Sequence, residues 1–248
     1  MANLLRPIVV IIQARMGSSR LPGKVLRNLV GRSVLAHVIA RVSACPLIDR
    51  VIVATTSDAR DAAVVDEAIA CGVDTFRGSE NDVLSRYHAA AEMAQAATIV
   101  RITSDCPLLD PGVLGRMIEM YVDAARSSAP YDYLTNIGWP RGLDIEICTR
   151  AALDRAAAEA NKPYEREHVT PFLYQHPEWF HCGEFHSPID RQSERWTLDT
   201  EDDWALIERI CAAFPSDAMP DCDAILALLE RNPEWRSLNA HVVQKSLC

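Results

Sequence analysis

The chain has 248 residues, of which 49% are hydrophobic and 24% charged, and its formal net charge is −9. These values are typical of an ordinary globular protein, and the length allows one large α/β domain or two small ones. The acidic balance argues against broad nucleic-acid binding, which requires a positive face that neutralises phosphates. No apolar run approaches the roughly 20 residues that span a bilayer. We therefore expect no membrane segment and a cytoplasmic location.

The eight cysteines indicate neither a disulfide framework nor a zinc site. None of them forms a Cys-x-x-Cys pair, and no set of cysteines and histidines has zinc-finger spacing. In a chain without a secretory signal we expect free thiols, most of them buried as small apolar residues. Cys248, at the terminus, is expected to be exposed.

Strand-like and helix-like patterns alternate over the first half of the chain. Buried strands are predicted at 8–14, 51–55 and 98–103, from runs rich in β-branched residues. Helices are predicted at 61–70 and after the capping residues Ser33, Asp82 and Asp110. This alternation indicates βαβ units. It predicts an α/β fold with a mainly parallel central sheet and helices on both faces.

The rhythm changes after residue 130. Strands are predicted at 131–135, 143–148 and 195–198, and helices at 150–160, 165–175 and 221–230. Thr200 and Asp203 have capping-box spacing for a helix that follows the last strand. No repeat, low-complexity tract or Gly/Ser linker divides the chain, so a single domain over 1–248 is expected.

The segment 13–24 is the most informative stretch, with the sequence QARMGSSRLPGK. It follows the first predicted strand, which is where open α/β sheets bind ligands. Two glycines, two serines, two arginines and a lysine offer backbone N–H groups, hydroxyls and three positive charges. That combination favours a polyphosphate over an incidental solvated loop.

Two common phosphate-binding loops do not match this segment. A P-loop requires four residues between its glycine and Gly-Lys-Ser/Thr, whereas five residues separate Gly17 from Gly23, and Val25 stands in place of the hydroxyl. The Gly-x-Gly-x-x-Gly pattern of dinucleotide-binding folds is absent.

The segment ARMGSSRLPGK at 14–24 resembles the opening loop of the cytidylyltransferases that activate keto-deoxy-octulosonate and sialic acids. The branch typified by the spore coat polysaccharide biosynthesis protein F is the most similar. Further similarities follow in order over roughly the first 200 residues: VATTSD at 53–58, RITSDCPL at 101–108, PRGLDIE at 140–146, EREHVT at 165–170 and WTLDTED at 196–202. The opening loop is specific to nucleotidyltransferases in general, and the later motifs to this branch.

The resemblance implies a Rossmann-like nucleotidyltransferase fold, with a nucleotide-binding part at 1–130, an acceptor-binding part at 131–200 and C-terminal helices at 201–248. It implies transfer of CMP from CTP to the anomeric hydroxyl of an acidic keto-sugar (an ulosonic acid), with release of pyrophosphate, for a surface polysaccharide or glycoconjugate. Similar enzymes are usually homodimers, although this sequence gives no independent sign of its assembly.

Residue roles carry over to the matching positions. Arg15 and Lys24 are expected to hold the triphosphate and to neutralise the departing pyrophosphate. The wider set of expected nucleotide-binding residues comprises Ala14, Arg15, Gly17, Ser18, Ser19, Arg20, Lys24, Thr55 and Arg86.

Asp105 and Asp199 are the expected ligands of Mg²⁺, each at the end of a predicted strand. Magnesium prefers oxygen ligands and usually takes one or two carboxylates together with phosphates and water. The two aspartates are far apart in sequence, so their convergence is implied by the resemblance alone. The alternative for Asp199 is a turn residue ahead of the Thr200 cap.

The acceptor is expected to bind Arg141, Asp144, Glu146 and His168. Arg141 offers a bidentate contact to a sugar carboxylate, and Asp144 and Glu146 alternate along one predicted strand face. A solvated face of an edge strand is an equal alternative for these residues. A lone histidine such as His168 is more often structural. No general base is evident, so a metal-polarised hydroxyl is the expected nucleophile.

Two other functions remain open at this point. A glycosyltransferase would carry an Asp-x-Asp motif at a strand end, which Ser104-Asp105-Cys106 does not provide. A nucleotide-binding module without activity would not need to retain Arg15, Lys24, Asp105 and Asp199 together.

Overall fold

The computed structural model describes residues 5–18, 20–126 and 129–244. The strands within this part of the chain are β1 Ile8–Gln13, β2 Asn28–Leu29, β3 Arg32–Ser33, β4 Arg50–Thr56, β5 Asp74–Gly78, β6 Thr98–Thr103, β7 Tyr133–Ile137, β8 Glu146–Thr149 and β9 Cys182–His186. The α-helices are α1 Val34–Ser43, α2 Ala62–Ala70, α3 Val83–Met93, α4 Pro111–Ala124, α5 Arg150–Glu159, α6 Pro163–His168, α7 Pro171–Tyr174, α8 Glu201–Ala212 and α9 Cys222–Arg231.

One seven-stranded sheet forms the centre of the fold, in the order β5-β4-β1-β6-β8-β7-β9. Strands β5, β4, β1 and β6 are parallel to one another. β8 runs antiparallel to β6 and β7, and β9 pairs parallel with β7. The expected α/β fold with a mainly parallel sheet is confirmed.

Helices cover both faces of this sheet, which explains the continuous apolar runs of its central strands. Alternate residues of β1 point to opposite faces: Val10 and Ile12 belong to one buried cluster, and Val9 and Ile11 to the other. The first cluster includes residues of α1, α2, α4, α8 and α9. The second includes residues of α3, α5 and α7.

Two general expectations can be compared with the described residues. None of their helices is both long enough and apolar enough to cross a membrane. Their cysteines are free thiols, and Cys45, Cys106, Cys148 and Cys222 are buried. Cys248 lies outside the described residues.

The second half of the chain differs from the sequence prediction in three places. Residues 195–198 do not form a strand, because their only sheet-like pairing is a bridge between Arg141 and Arg195. β8 begins at Glu146 rather than at 143, and the predicted helix 165–175 is two short helices, α6 and α7. The edge strands β5 and β9 and the short β2–β3 pair were not predicted.

Candidate active site

The largest group of predicted site residues lies at the carboxyl ends of β1 and β6. The connections after these neighbouring strands run toward opposite edges of the sheet, because α1 leads from β1 to β4 and α4 leads from β6 to β7. Such a switch point leaves a crevice where open α/β sheets bind ligands. A cavity of about 360 Å³ occupies this crevice.

The opening loop is held in shape before any ligand contact. The Met16 N–H donates to Asp61 Oδ1 over 2.7 Å, and Asp61 is 1% exposed. The N–H groups of Ser18 and Gly23 both donate to the Met16 carbonyl, at 2.9 and 3.1 Å. Gly23 has φ 69° and ψ 8° and precedes a 3-10 helix at Lys24–Leu26. A glycine adopts this left-handed conformation without steric cost, so the loop turns sharply enough to aim Lys24 at the sheet.

Lys24 joins the two predicted metal ligands. Its ammonium Nζ lies 2.9 Å from Asp105 Oδ2 and 3.0 Å from Asp199 Oδ1, and it also donates to the Leu198 carbonyl. Burial lowers the pKa of Lys24, but the charges of Asp105 and Asp199 outweigh burial and raise it above its ordinary value. Burial raises the pKa of Asp105, but the charge of Lys24 together with hydrogen bonds from Thr103 and Lys24 outweighs burial and holds the pKa below its ordinary value. Both shifts favour the charged forms of Lys24 and Asp105.

Asp199 is fixed from behind by a buried ion pair. Arg195 donates to Asp199 Oδ2 over 3.1 Å and to both carboxylate oxygens of Asp203 over 2.8 and 3.0 Å. Asp203 Oδ2 also accepts from the Asp199 N–H, and Asn239 donates to Asp203 Oδ1 over 2.9 Å. Arg20 approaches the exposed side of Asp199 at 3.0 Å. Asp199 therefore occupies a braced turn ahead of α8, not the end of a strand.

Most of the predicted nucleotide-binding residues line the cavity: Ala14, Arg15, Gly17, Ser18, Arg20, Lys24 and Arg86. Asp105, Asp199 and His168 line the same cavity. Ser19 lies outside the described residues. Thr55 is fully buried in β4 and is not among the cavity-lining residues, so its expected place at the nucleotide is wrong.

The predicted acceptor residues do not converge in this cavity. Arg141 is exposed and lines a separate depression with Arg195. Asp144 is also exposed, and its carboxylate accepts from the Gly142 N–H over 2.8 Å. The expectation that Asp144 and Glu146 share one strand face is wrong, because β8 starts only at Glu146.

Glu146 is engaged by the protein itself. Its carboxylate accepts from the Arg101 guanidinium, from the Tyr133 hydroxyl and from the Thr170 hydroxyl, the last over 2.5 Å. The Glu146 side chain is 14% exposed and does not line the cavity. It connects β6, β7, β8 and the start of α7.

Several site residues were not assigned a role from the sequence. Gln13, Thr103 and Ser104 line the cavity at the ends of β1 and β6, and Val83 and Glu167 complete its far wall. Gln13, Thr103 and Ser104 lie within or directly after predicted strands, and this position could have identified them as site residues. Nothing in the sequence showed that Arg195 and Asp203 would pair behind Asp199.

The donor set of this cluster fits a magnesium ion. Two carboxylates within 3.0 Å of one ammonium provide hard oxygen ligands for a small divalent cation. The described residues contain no cluster of three or more His, Cys, Asp or Glu side chains that could hold a metal ion. An ion at Asp105 and Asp199 would therefore take its other ligands from phosphates and water, as magnesium commonly does.

Comparison with known proteins agrees with this geometry. A family model described as "Cytidylyltransferase" matches residues 9–233. The spore coat polysaccharide biosynthesis protein SpsF of Bacillus subtilis is 32% identical over 239 residues, covering 93% of this chain and 97% of SpsF. A 3-deoxy-manno-octulosonate cytidylyltransferase of Nitratidesulfovibrio vulgaris is 37% identical over 120 residues, which is 46% of each chain.

The fold is also close to a solved structure. A cytidylyltransferase from Leptospira borgpetersenii superposes with a TM-score of 0.87 at 31% sequence identity. The similarity covers 97% of this chain and 99% of the Leptospira chain. The matched part therefore includes both halves of the sheet and the helices that follow them.

Proposed function

This chain belongs to the cytidylyltransferase family, and on that premise we propose that it transfers CMP from CTP to the anomeric hydroxyl of an acidic keto-sugar. Pyrophosphate is the second product. An ulosonic acid is the proposed acceptor, in the synthesis of a surface polysaccharide or glycoconjugate. The convergence of Lys24, Asp105 and Asp199 in one cavity carries this proposal.

The opening loop provides the triphosphate site of the proposed reaction. Arg15, Arg20 and Lys24 line one wall of the cavity, and the side chain of Arg15 is 41% exposed. Phosphate oxygens are strong acceptors for guanidinium and ammonium groups. As the bond between the α- and β-phosphates breaks, negative charge grows on pyrophosphate, and fixed cations stabilise that charge.

Asp105 and Asp199 would hold Mg²⁺ next to this wall. The ion supplies charge neutralisation and orientation of the triphosphate. The chain itself contributes the positions of the two carboxylates, which Lys24 and Arg195 hold by direct hydrogen bonds. Such positioning accounts for most of the catalytic effect in phosphoryl transfer.

The nucleoside part fits the other end of the cavity. Arg86 is 2% exposed, and its guanidinium donates to the Ser79 carbonyl over 2.6 Å. Arg86 also lines the cavity, so a carbonyl oxygen of the nucleotide base is a suitable acceptor for its guanidinium.

The acceptor class is supported by similarity and by charge. The name of SpsF refers to polysaccharide biosynthesis, and the Nitratidesulfovibrio relative acts on 3-deoxy-manno-octulosonate. Although the protein is acidic overall, the cationic side chains that line this cavity lie in the opening loop and at Arg86. Their positive charge attracts anionic substrates to the cavity.

A pyrophosphate-release screen tests the proposal. The four ribonucleoside triphosphates are each combined with a panel of eight- and nine-carbon keto-sugar acids in the presence of Mg²⁺. We expect release with CTP and at least one ulosonic acid. Release with no combination, or with a neutral sugar alone, would contradict the proposed acceptor. Product formation from a ready-made nucleotide sugar, without pyrophosphate, would indicate a glycosyltransferase.

A further inference from the structure

The cavity wall opposite the opening loop ends in a strained turn. Val169, directly after α6, has φ 73° and ψ −55°, and the Thr170 N–H donates to the His168 carbonyl over 2.9 Å. These values define a γ-turn with a positive central φ, which is rare and strained for an L residue. A β-branched side chain makes it more unusual still. Val169 is 1% exposed, so packing maintains the turn.

One brace fixes the residue that follows the turn. The buried Thr170 hydroxyl donates to Glu146 on β8 over 2.5 Å. Glu146 is itself held by Arg101 on β6 and by Tyr133 on β7. Three strands of the sheet therefore determine where the chain leaves the turn.

A second brace fixes the helix before the turn. The Arg166 guanidinium binds the carboxylate of Asp82, which caps α3, with donor–acceptor distances of 3.1 and 2.5 Å. Glu165 is 1% exposed, and its carboxylate accepts from the N–H groups of Asn161 and Lys162. The α6 segment is thus tied to the sheet on one side and to α3 on the other.

Between these braces the side chains of Glu167 and His168 line the cavity. His168 is half-buried. Neither of its ring nitrogens has a hydrogen-bond partner among residues 5–18, 20–126 and 129–244. Strain maintained by surrounding structure is typical of functional positions, and here it holds an imidazole with two unengaged nitrogens at the cavity.

We propose that His168 is the general base of the reaction, and that Glu146 and Thr170 are the positioning residues that hold it at the cavity. This assignment rests on the proposed function, because it takes the acceptor hydroxyl as the proton donor. It replaces the sequence-based expectation that a metal-polarised hydroxyl reacts without a base from the protein.

The proposed step balances in protons and electron pairs. The O–H bond of the anomeric hydroxyl breaks, and its proton moves to an unprotonated ring nitrogen of His168. The hydroxyl oxygen forms a bond to the α-phosphorus of CTP. The bond from that phosphorus to the bridging oxygen breaks, and pyrophosphate leaves with the electron pair toward Arg15 and Lys24. The imidazolium returns its proton to solvent after product release.

The environment of His168 suits this role. Partial burial lowers its pKa, and the charge of Arg101 on β6 lowers it further, against the opposing charges of Glu167 on α6 and Glu146 on β8. The ring is then mainly neutral at pH 7, as a proton acceptor must be. The other charged groups that line the cavity are Arg15, Arg20, Lys24, Arg86, Asp105 and Asp199.

The first test is the pH dependence of kcat/KM for the acceptor at saturating CTP and Mg²⁺. For the native protein we expect kcat/KM to fall as pH decreases through the lowered pKa of His168, below about 6.5. His168→Gln should reduce kcat about 100-fold or more and abolish this acid limb, while the Kd of CTP changes less than about twofold. His186→Gln is the matched control, because His186 is exposed and pairs only with Glu184.

The second test concerns the braces. Thr170→Val removes the hydroxyl that holds the turn, and we expect kcat to fall about tenfold with the acid limb retained. Thr170→Ser keeps the hydroxyl and should restore kcat. A purely structural role would lower the melting temperature of Thr170→Val without lowering kcat at a temperature where the variant is folded.

The outcomes separate this inference from the proposed function. If native protein releases pyrophosphate from CTP and an ulosonic acid but its kcat/KM does not fall as pH decreases below about 6.5, His168 is not the base and the proposed function stands. Near-native kcat in His168→Gln has the same meaning. If His168→Gln does not fold, the pH profile of the native protein still decides. If no acceptor supports pyrophosphate release, the proposed function itself fails.

Discussion

The two halves of the central sheet use charged side chains in different ways. At the carboxyl ends of β1 and β6, the charged groups Arg15, Lys24 and Asp105 face a cavity. On β8, the carboxylate of Glu146 faces inward and is occupied by Arg101, Tyr133 and Thr170. In the first half of the sheet, the charged side chains remain available to a ligand. In the second half, Glu146 pairs with other protein groups and holds the opposite wall of the cavity in place.

This difference shows why residue type alone does not identify a binding group. Asp105 and Glu146 are both acidic and both belong to motifs shared with cytidylyltransferases. The charged partner of Asp105 is Lys24, whose ammonium a phosphate can also bind. Glu146 has three protein partners that no ligand replaces. The unsatisfied or exchangeable polar group is the better indicator of function.

The largest effect on activity is expected in the first half of the sheet, at the cavity. Asp105→Asn should reduce kcat about 1,000-fold, because it removes one of the two negatively charged side chains proposed to bind Mg²⁺. Pyrophosphate release over a range of Mg²⁺ concentrations measures the loss, and circular dichroism checks the fold. Asp123→Asn, on the exposed surface of α4, is the control. Near-native activity of Asp105→Asn would refute the metal assignment.

The buried ion pair between Arg195 and Asp203 should affect mainly the stability of the protein. Asp203→Ala leaves the buried Arg195 without its main partner, and we expect the free energy of unfolding to fall by about 3 kcal/mol. Asp203 is 0% exposed. Urea denaturation measures the change. Asp202→Ala is the control, since Asp202 lies on the same helix and its carboxylate pairs with the exposed His241. Equal stability of the two variants would contradict the role of the ion pair.

The pH dependence of stability follows from the same carboxylate. Burial raises the pKa of Asp203, but hydrogen bonds from Arg195 and Asn239 outweigh burial and hold the pKa below its ordinary value. A depressed folded-state pKa stabilises the protein above the unfolded pKa of about 3.9. This stabilisation should be lost as pH falls from about 4 through the folded-state value. Denaturation at several pH values measures the slope, which should be shallower in Asp203→Asn.

Fold and site were predictable from the sequence to different extents. The strands β1, β4 and β6 were recognised because buried parallel strands need continuous apolar runs. β5 and β9 were missed because each lies at a sheet edge, with all five of its residues exposed or partly exposed and no apolar run. Residues 195–198 have a buried apolar pattern, yet they pack against the sheet rather than pair with it.

Site residues were predictable where they lie in one continuous segment and not where they lie on separate elements. The opening loop was predictable because one continuous segment contains its charges and glycines. Arg101, Glu146 and Thr170 lie on separate elements, so no local pattern shows that they meet. The expected clustering of Asp105 and Asp199 came from resemblance, and the structure supplies the physical reason, which is that Lys24 binds both.

A moderate stability effect is expected at the helix that follows Asp199. The Thr200 hydroxyl accepts from the Asp203 N–H over 3.2 Å as the N-cap of α8. Thr200→Ala should lower the free energy of unfolding by about 1 kcal/mol, with Thr200→Ser close to native. Thermal denaturation measures both variants. No difference between them would show that the cap contributes nothing.

The smallest effect is expected at a carboxylate that competes for the triphosphate loop. Glu80 contacts Arg15 at 3.5 Å and Arg60 at 2.9 Å, and all three side chains are at least one-third exposed. Exposed pairs contribute little, so Glu80→Gln should lower the KM for CTP only about twofold by releasing Arg15. Initial rates at varied CTP measure it, and an increase in KM would contradict the prediction.

A crystal structure of the protein with CTP and Mg²⁺ tests the central claim most directly. We predict the triphosphate in the cavity at the ends of β1 and β6, in contact with Arg15 and Lys24, with the ion bound to Asp105 and Asp199. CTP bound elsewhere on the protein, or a triphosphate that contacts neither Lys24 nor an ion on Asp105, would contradict the account.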